Sequence, residues 1–196
     1  MPMVQPGMRV GLFGGTFDPP HEGHLLVAEL AFQRLQLDQL WWIVTPGNPL
    51  KDHSGLASLQ KRIAQCEEFV GDPRVKVTAF EVSYGVNYTA ETLTTVKARN
   101  PGVDFVWIMG ADNLAGFHRW QKWREIASTF PIAVIDRPGS TLSYLNSPMA
   151  RAFDHARVRE ADASLLASLK APAWCFIHGP RSPLSSSALR RAAGRS

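Results

Sequence analysis

Two familiar phosphate-binding signatures are missing from this 196-residue chain. Neither a GxxxxGKS/T loop nor a GxGxxG fingerprint occurs, which removes the usual marks of P-loop kinases and of dinucleotide dehydrogenases. Cysteine is scarce. Cys66 and Cys175 stand alone, one in a helical and one in a strand pattern, with no CxxC, and read as reduced core residues. No run approaches the roughly 20 apolar residues of a membrane span. Residues 1–7 lack the basic start and long apolar core of a signal peptide, so cytoplasmic residence with no membrane partner is the expectation. HExxH spacing is absent too, and no third ligand at metal spacing accompanies the two histidines described below, so no protein-held metal is expected.

The composition, 45% hydrophobic and 19% charged, is that of an ordinary globular domain, and the length suits one domain spanning residues 1–196. The formal charge is +4, with Arg181, Arg190, Arg191 and Arg195 crowded near the end. No aromatic-studded ribbon or nucleic-acid module accompanies them. Small phosphorylated ligands explain the excess, and no nucleic-acid partner is expected. Oligomeric state stays open, a homo-oligomer included.

Apolar, β-rich runs recur at 8–13, 40–45, 75–80, 103–109, 132–135 and 174–177, and helical patterns fall between most of them at 24–37, 56–70, 89–99 and 119–129. This alternation predicts βαβ units and a Rossmann-like, doubly wound, mainly parallel α/β sheet. Residues 137–171 are the least readable; within them 160–169 reads as a surface helix. Ligands on such sheets gather at the carboxyl ends of the strands. The informative motifs fall there.

The first is Gly14-Gly15-Thr16-Phe17-Asp18-Pro19-Pro20-His21-Glu22-Gly23-His24, between an apolar run and an amphipathic stretch. Strand, glycine-rich turn and helix start present free backbone N–H groups, backed by the helix dipole, to an anion. A diglycine for packing and a histidine as a helix cap are the plain alternatives. After the second run, Thr45-Pro46-Gly47-Asn48-Pro49-Leu50-Lys51-Asp52-His53 reads as a stiff loop whose Lys51 ammonium can reach a phosphate, with a solvated turn and an ordinary surface lysine as the plain alternative. Asn87-Tyr88-Thr89-Ala90-Glu91-Thr92-Leu93 opens a helix, with Thr89 or Asn87 expected at the N-cap. Asp112, in Met109-Gly110-Ala111-Asp112, lies just past a strand, where a carboxylate accepts from both hydroxyls of a ribose or, alternatively, caps a helix. Phe117, Trp120 and Trp123 crowd seven positions, and Leu184-Ser185-Ser186-Ser187-Ala188-Leu189-Arg190 brings hydroxyls and a guanidinium fork to a helix start.

Residues 14–24 resemble the GxFDPxHxGH signature of the nucleotidyltransferase superfamily. Asn87 to Leu93, Met109 to Asp112 and Leu184 to Arg190 resemble the NYTxxTL, IGxD and ISSTxIR elements of its nicotinate-mononucleotide adenylyltransferases. Leu50 departs from the two adjacent prolines usual in the second loop, and Ser187 stands for a threonine. The resemblance implies transfer of the adenylyl group of ATP to nicotinate mononucleotide, with Mg²⁺ carried on the ATP phosphates. It implies that His21, His24, Lys51 and Arg190 serve catalysis and that Gly14, Gly15, Thr16, Phe17, Asp112, Ser186 and Ser187 hold ATP. Asn48, Tyr88, Thr89, Trp120 and Arg137 would hold the mononucleotide, Trp120 by stacking on the pyridine ring. Pantetheine-phosphate adenylyltransferase, a cytidylyltransferase and a catalytically silent nucleotide sensor are the competing expectations. The Asn87 to Leu93 element and Trp120 disfavour the first two, and retention of both histidines and Arg190 disfavours the sensor.

Overall fold

The computed structural model describes residues 1–46, 55–136 and 146–179. Seven strands form one sheet: β1 (Arg9–Gly15), β2 (Gln39–Val44), β3 (Val75–Thr78), β4 (Asp104–Gly110), β5 (Ile132–Ile135), β6 (Arg157–Val158) and β7 (Trp174–Ile177). Their order is β3-β2-β1-β4-β5-β7-β6, and every pairing is parallel. The chain winds outward from β1 through β2 to β3, then crosses back to β4 on the other side of β1. The order therefore reverses at β1 and β4, the position at which open α/β sheets bind ligands.

The strands read as near-continuous apolar runs because both faces are covered. Side chains alternate strictly between two cores. Val10, Leu12, Trp41, Ile43, Phe105, Trp107, Met109, Ile132 and Val134 face one; Phe13, Leu40, Trp42, Val106, Ile108, Ala133 and Ile135 face the other. On the first face lie α4 (Thr89–Arg99), α5 (Ala111–Leu114), α6 (Trp123–Thr129) and α7 (Pro148–Ala152); on the second, α1 (Glu22–Leu35) and α2 (Leu59–Phe69). Cys66 and Cys175 are free and buried in the second core, as expected. No helix among the described residues is long and apolar enough to cross a membrane.

Four details correct the sequence reading. The third strand stops at Thr78, and Phe80 opens a short helix, α3 (Phe80–Tyr84), because Phe80 turns inward to Trp41, ring centroids 6.3 Å apart. Residues 120–122 are not helical and Arg119 belongs to a separate 3-10 turn, Phe117–Arg119; Lys122 takes a left-handed φ of 54° immediately before α6. Glu160–Ser168 is a 3-10 segment rather than a surface helix, with Ala163, Leu166 and Ala167 buried in the second core. The N-cap of α4 is Tyr88, not Thr89 or Asn87; Asn87 precedes the cap, and its backbone N–H donates to Glu91 Oε2 at 3.2 Å.

Candidate active site

β1 delivers the chain to the switch point and ends at Gly15. From there a tight turn leads to His21, the N-cap of α1 with extended backbone (φ −153°, ψ 168°). The cap is reciprocal. His21 Nδ1 accepts from the Gly23 amide at 3.1 Å, and His24 Nδ1 accepts from the His21 amide at 3.1 Å. This is a capping box built from two imidazoles where Ser/Thr and Glu/Gln are usual. Because each Nδ1 accepts from a backbone N–H, each neutral ring carries its proton on Nε2. The rings lie 3.9 Å apart and are 4% and 6% exposed, so they are desolvated donors at the positive end of a fourteen-residue helix.

An aromatic stack fixes the pair from below. His24 packs on Phe17 at 4.7 Å, and Phe17 stacks on Trp42 at 4.9 Å with planes 15° apart. Phe17 is fully buried at a left-handed φ of 47°, which costs a residue with a Cβ roughly 1–3 kcal/mol and persists only where packing over-determines it. Gly14 and Gly15 have packing reasons of their own. A Cβ on Gly14 would stand 2.7 Å from Cη2 of Trp107, and one on Gly15 would stand 3.1 Å from the Phe17 ring.

The other face of the sheet carries the second group of residues. Trp107 on β4 reaches Trp120 edge to face at 6.3 Å, and Trp120 also rests on buried Phe117 at 5.3 Å. Trp120 closes the 3-10 turn and is only partly buried, leaving ring surface available for stacking. α4 borders the same core through Ala90 and Leu93, and its N-cap, Tyr88, makes no side-chain cap. Its first amides therefore keep their donor capacity. Beneath that helix start Thr92 Oγ1 donates to Glu81 Oε1 at 2.5 Å, and burial pushes the Glu81 carboxyl above its usual range. Asp112 is exposed in the first turn of α5, whose N-cap is Gly110, so the capping alternative for Asp112 does not hold.

Residues 12–192 match the cytidylyltransferase-like family. The chain belongs to that family. It is 73% identical over 183 residues to a probable nicotinate-nucleotide adenylyltransferase of Agrobacterium fabrum, an alignment covering 93% of this chain and 98% of the relative. A probable nicotinate-nucleotide adenylyltransferase of Mesorhizobium japonicum is 65% identical over 98% of this chain and 99% of its own. Among solved structures, a Plasmodium falciparum nicotinic acid mononucleotide adenylyltransferase complexed with APC superposes with a TM-score of 0.70 at 16% identity, covering 94% of this chain and 83% of that one. The last likeness is one of fold.

Within this cytidylyltransferase-like frame the structure places His21, His24, Gly14, Gly15, Thr16 and Phe17 together at the β1–α1 junction, with Asp112 at the end of neighbouring β4. It places Trp120 against the first core, and Tyr88 and Thr89 at the start of α4, which packs on that core through Ala90 and Leu93. Asn48, Lys51, His53, Arg137, Ser186, Ser187 and Arg190 lie outside the described residues. No group of three or more His, Cys, Asp or Glu among the described residues is placed to hold a metal ion.

Sequence reasoning missed Arg62. Its guanidinium is 1% exposed, and its N–H groups reach four main-chain carbonyls: Thr16 at 2.7 Å, Thr45 at 2.8 Å, Pro46 at 3.1 Å and Ala57 at 3.0 Å. Burial pulls its pKa down, and buried Asp18, accepting from the Ala57 amide at 3.2 Å, pushes it back up. The sequence carried no signal for this, since neighbouring Lys61 is equally charged and the partners are main-chain carbonyls.

Proposed function

We infer that the chain transfers the adenylyl group of ATP to nicotinate mononucleotide, giving nicotinate adenine dinucleotide and pyrophosphate, a step of NAD biosynthesis. The observation that carries this is the imidazole capping box at the sheet's switch point, two Nε2–H donors held where a helix N-terminus faces an anion. The relatives' shared name supplies the acceptor.

Little covalent chemistry is asked of the protein. A phosphate oxygen of the mononucleotide attacks the α-phosphorus of ATP in line; the new P–O bond forms as the bond to the β-phosphate oxygen breaks, and the electron pair leaves with pyrophosphate. Residues 14–17 cradle the triphosphate by backbone, while His21 and His24 donate to oxygens on which charge builds. Lys51 and Arg190 add cationic contacts, and Ser186 and Ser187 add hydroxyls. Asp112 accepts from the ribose. Mg²⁺ enters with ATP, on its phosphates. On the acceptor side, Trp120 stacks on the pyridine ring, the amides at Tyr88 and Thr89 receive its carboxylate, and Asn48 and Arg137 complete the site. Residues 1–196 act as one domain, in the cytoplasm and without nucleic acid.

Pyrophosphate release, measured with nicotinate mononucleotide, nicotinamide mononucleotide and phosphopantetheine as acceptors and with ATP or CTP as donor, tests this. ATP with nicotinate mononucleotide gives the highest kcat/KM. The amide analogue turns NH₂ donors toward backbone donors, a loss of about 1–3 kcal/mol and so roughly 10- to 100-fold. Equal efficiency on the two pyridine nucleotides overturns the acceptor assignment, and no release with any pair returns the protein to a nucleotide sensor.

A further inference from the structure

Nothing in the stability of α2 calls for Arg62. It places a positive charge near a helix N-terminus, against the dipole, and takes that charge out of water, where an apolar side chain of similar volume is often no worse for the fold. What the guanidinium does supply is planar, divergent donors. The Nη1 group alone bridges Thr16, in the turn after β1, and Thr45, at the exit of β2. Nη2 adds Pro46, one residue further along that exit. Nε takes Ala57 on the approach to α2, and the same peptide segment is gripped from its other side by Asp18. β1 and β2 are sheet neighbours, Gly15 opposite Val44, so their two exits leave side by side with the guanidinium between them.

We propose that Arg62 is a positioning residue for adenylyl transfer, its guanidinium setting the span between the triphosphate turn at Thr16 and the exit of β2 at Thr45 and Pro46. The proposal rests on the function inferred above. In-line attack requires reacting atoms about 3–3.5 Å apart, and a misplacement of about 1 Å costs on the order of 10²-fold in rate. A lysine keeps the charge but is a point donor that cannot span carbonyls of both exits and Ala57 together. A neutral glutamine folds without the buried charge, and its amide donates to two carbonyls at most.

The experiment measures kcat and both KM values for wild type, Arg62→Lys and Arg62→Gln, with Leu166→Ala as a control. Leu166 is fully buried in the second core, in the Glu160–Ser168 segment, and has no part in the site. All are assayed well below their melting temperatures, with folding checked by circular dichroism. In the Arg62 variants kcat at saturating substrates falls about 10- to 100-fold, while each KM moves by less than about threefold. Leu166→Ala, though less stable, keeps its kcat. A folded Arg62 variant with kcat within twofold of wild type overturns the proposal, as does an equal fall in Leu166→Ala. Failure of both Arg62 variants to fold at 4 °C also overturns it, because Arg62 is then a structural tie alone. Loss of the underlying function looks different: wild type itself then releases no pyrophosphate.

Discussion

Replacing His21 separates its two duties, capping and phosphate contact, because one residue type can perform the first without the second. The cap consists of Nδ1 accepting from the Gly23 amide, with the return bond from the His21 amide to His24. Asparagine is among the best N-cap residues, and the extended backbone of His21 is that of an ordinary N-cap. His21→Ala removes the acceptor and costs about 0.5–2 kcal/mol. At roughly 2–4 °C per kcal/mol for a chain of this size, the melting temperature falls by a few degrees. His21→Asn restores the acceptor and melts within about 1 °C of wild type. Neither variant retains an Nε2–H donor, so both lose kcat by roughly 10²-fold or more, the scale of one transition-state donor. Thermal melts paired with a pyrophosphate-release assay read the two quantities separately. A His21→Asn enzyme with near-normal kcat refutes the phosphate role and leaves His21 a cap.

Three further outcomes follow from the geometry. Trp120→Ala removes the exposed stacking ring and raises KM for nicotinate and nicotinamide mononucleotides alike, leaving their ratio near wild type because the α4 helix start is untouched; a changed ratio in parallel kinetics rejects this division of labour. Burial raises the Glu81 carboxyl, so the folded state holds a proton that the unfolded chain releases, and stability falls as pH rises from the ordinary value of 4.5 through the folded one. Glu81→Gln therefore melts higher than wild type at neutral pH, with the gap closing below pH 4.5, and a gap independent of pH in melts from pH 4 to 8 contradicts it. Burial pushes the Cys66 thiol up to about 12 and the Cys175 thiol up to about 11, so a thiol reagent at pH 8 labels neither in the native protein and both in guanidinium chloride; mass spectrometry showing native labelling disproves the sealed core.

Much of the fold was legible because it obeys one rule. A strand buried on both faces must be apolar throughout, and the six runs at β1 to β5 and β7 announced themselves that way. The two-residue β6, the five-residue α3 and the turn before Trp120 are too short to set up a period, and their conformations follow from tertiary packing of Phe80, Phe117 and Trp174. The β1–α1 junction was readable down to the two histidines, and the plain alternative of a histidine cap is met by His21; the return bond from the His21 amide to His24 was not readable. Arg62 was invisible for a different reason. Its partners are carbonyls 46, 17, 16 and 5 residues away, and main-chain carbonyls have no letter in a sequence.

The contact between Gly14 and Trp107 limits the order in which this chain can change. A methyl group at position 14 would collide with the indole 2.7 Å away, and the indole, itself 3% exposed, already meets Trp120 edge to face. Alanine at 14 therefore requires the indole to shift or position 107 to shrink, and either change disturbs the ring that Trp120 packs against. A glycine near the end of β1 and the tryptophan that meets Trp120 thus share one allotment of volume. A change of volume at either position is therefore felt at the other, and through Trp107 at Trp120.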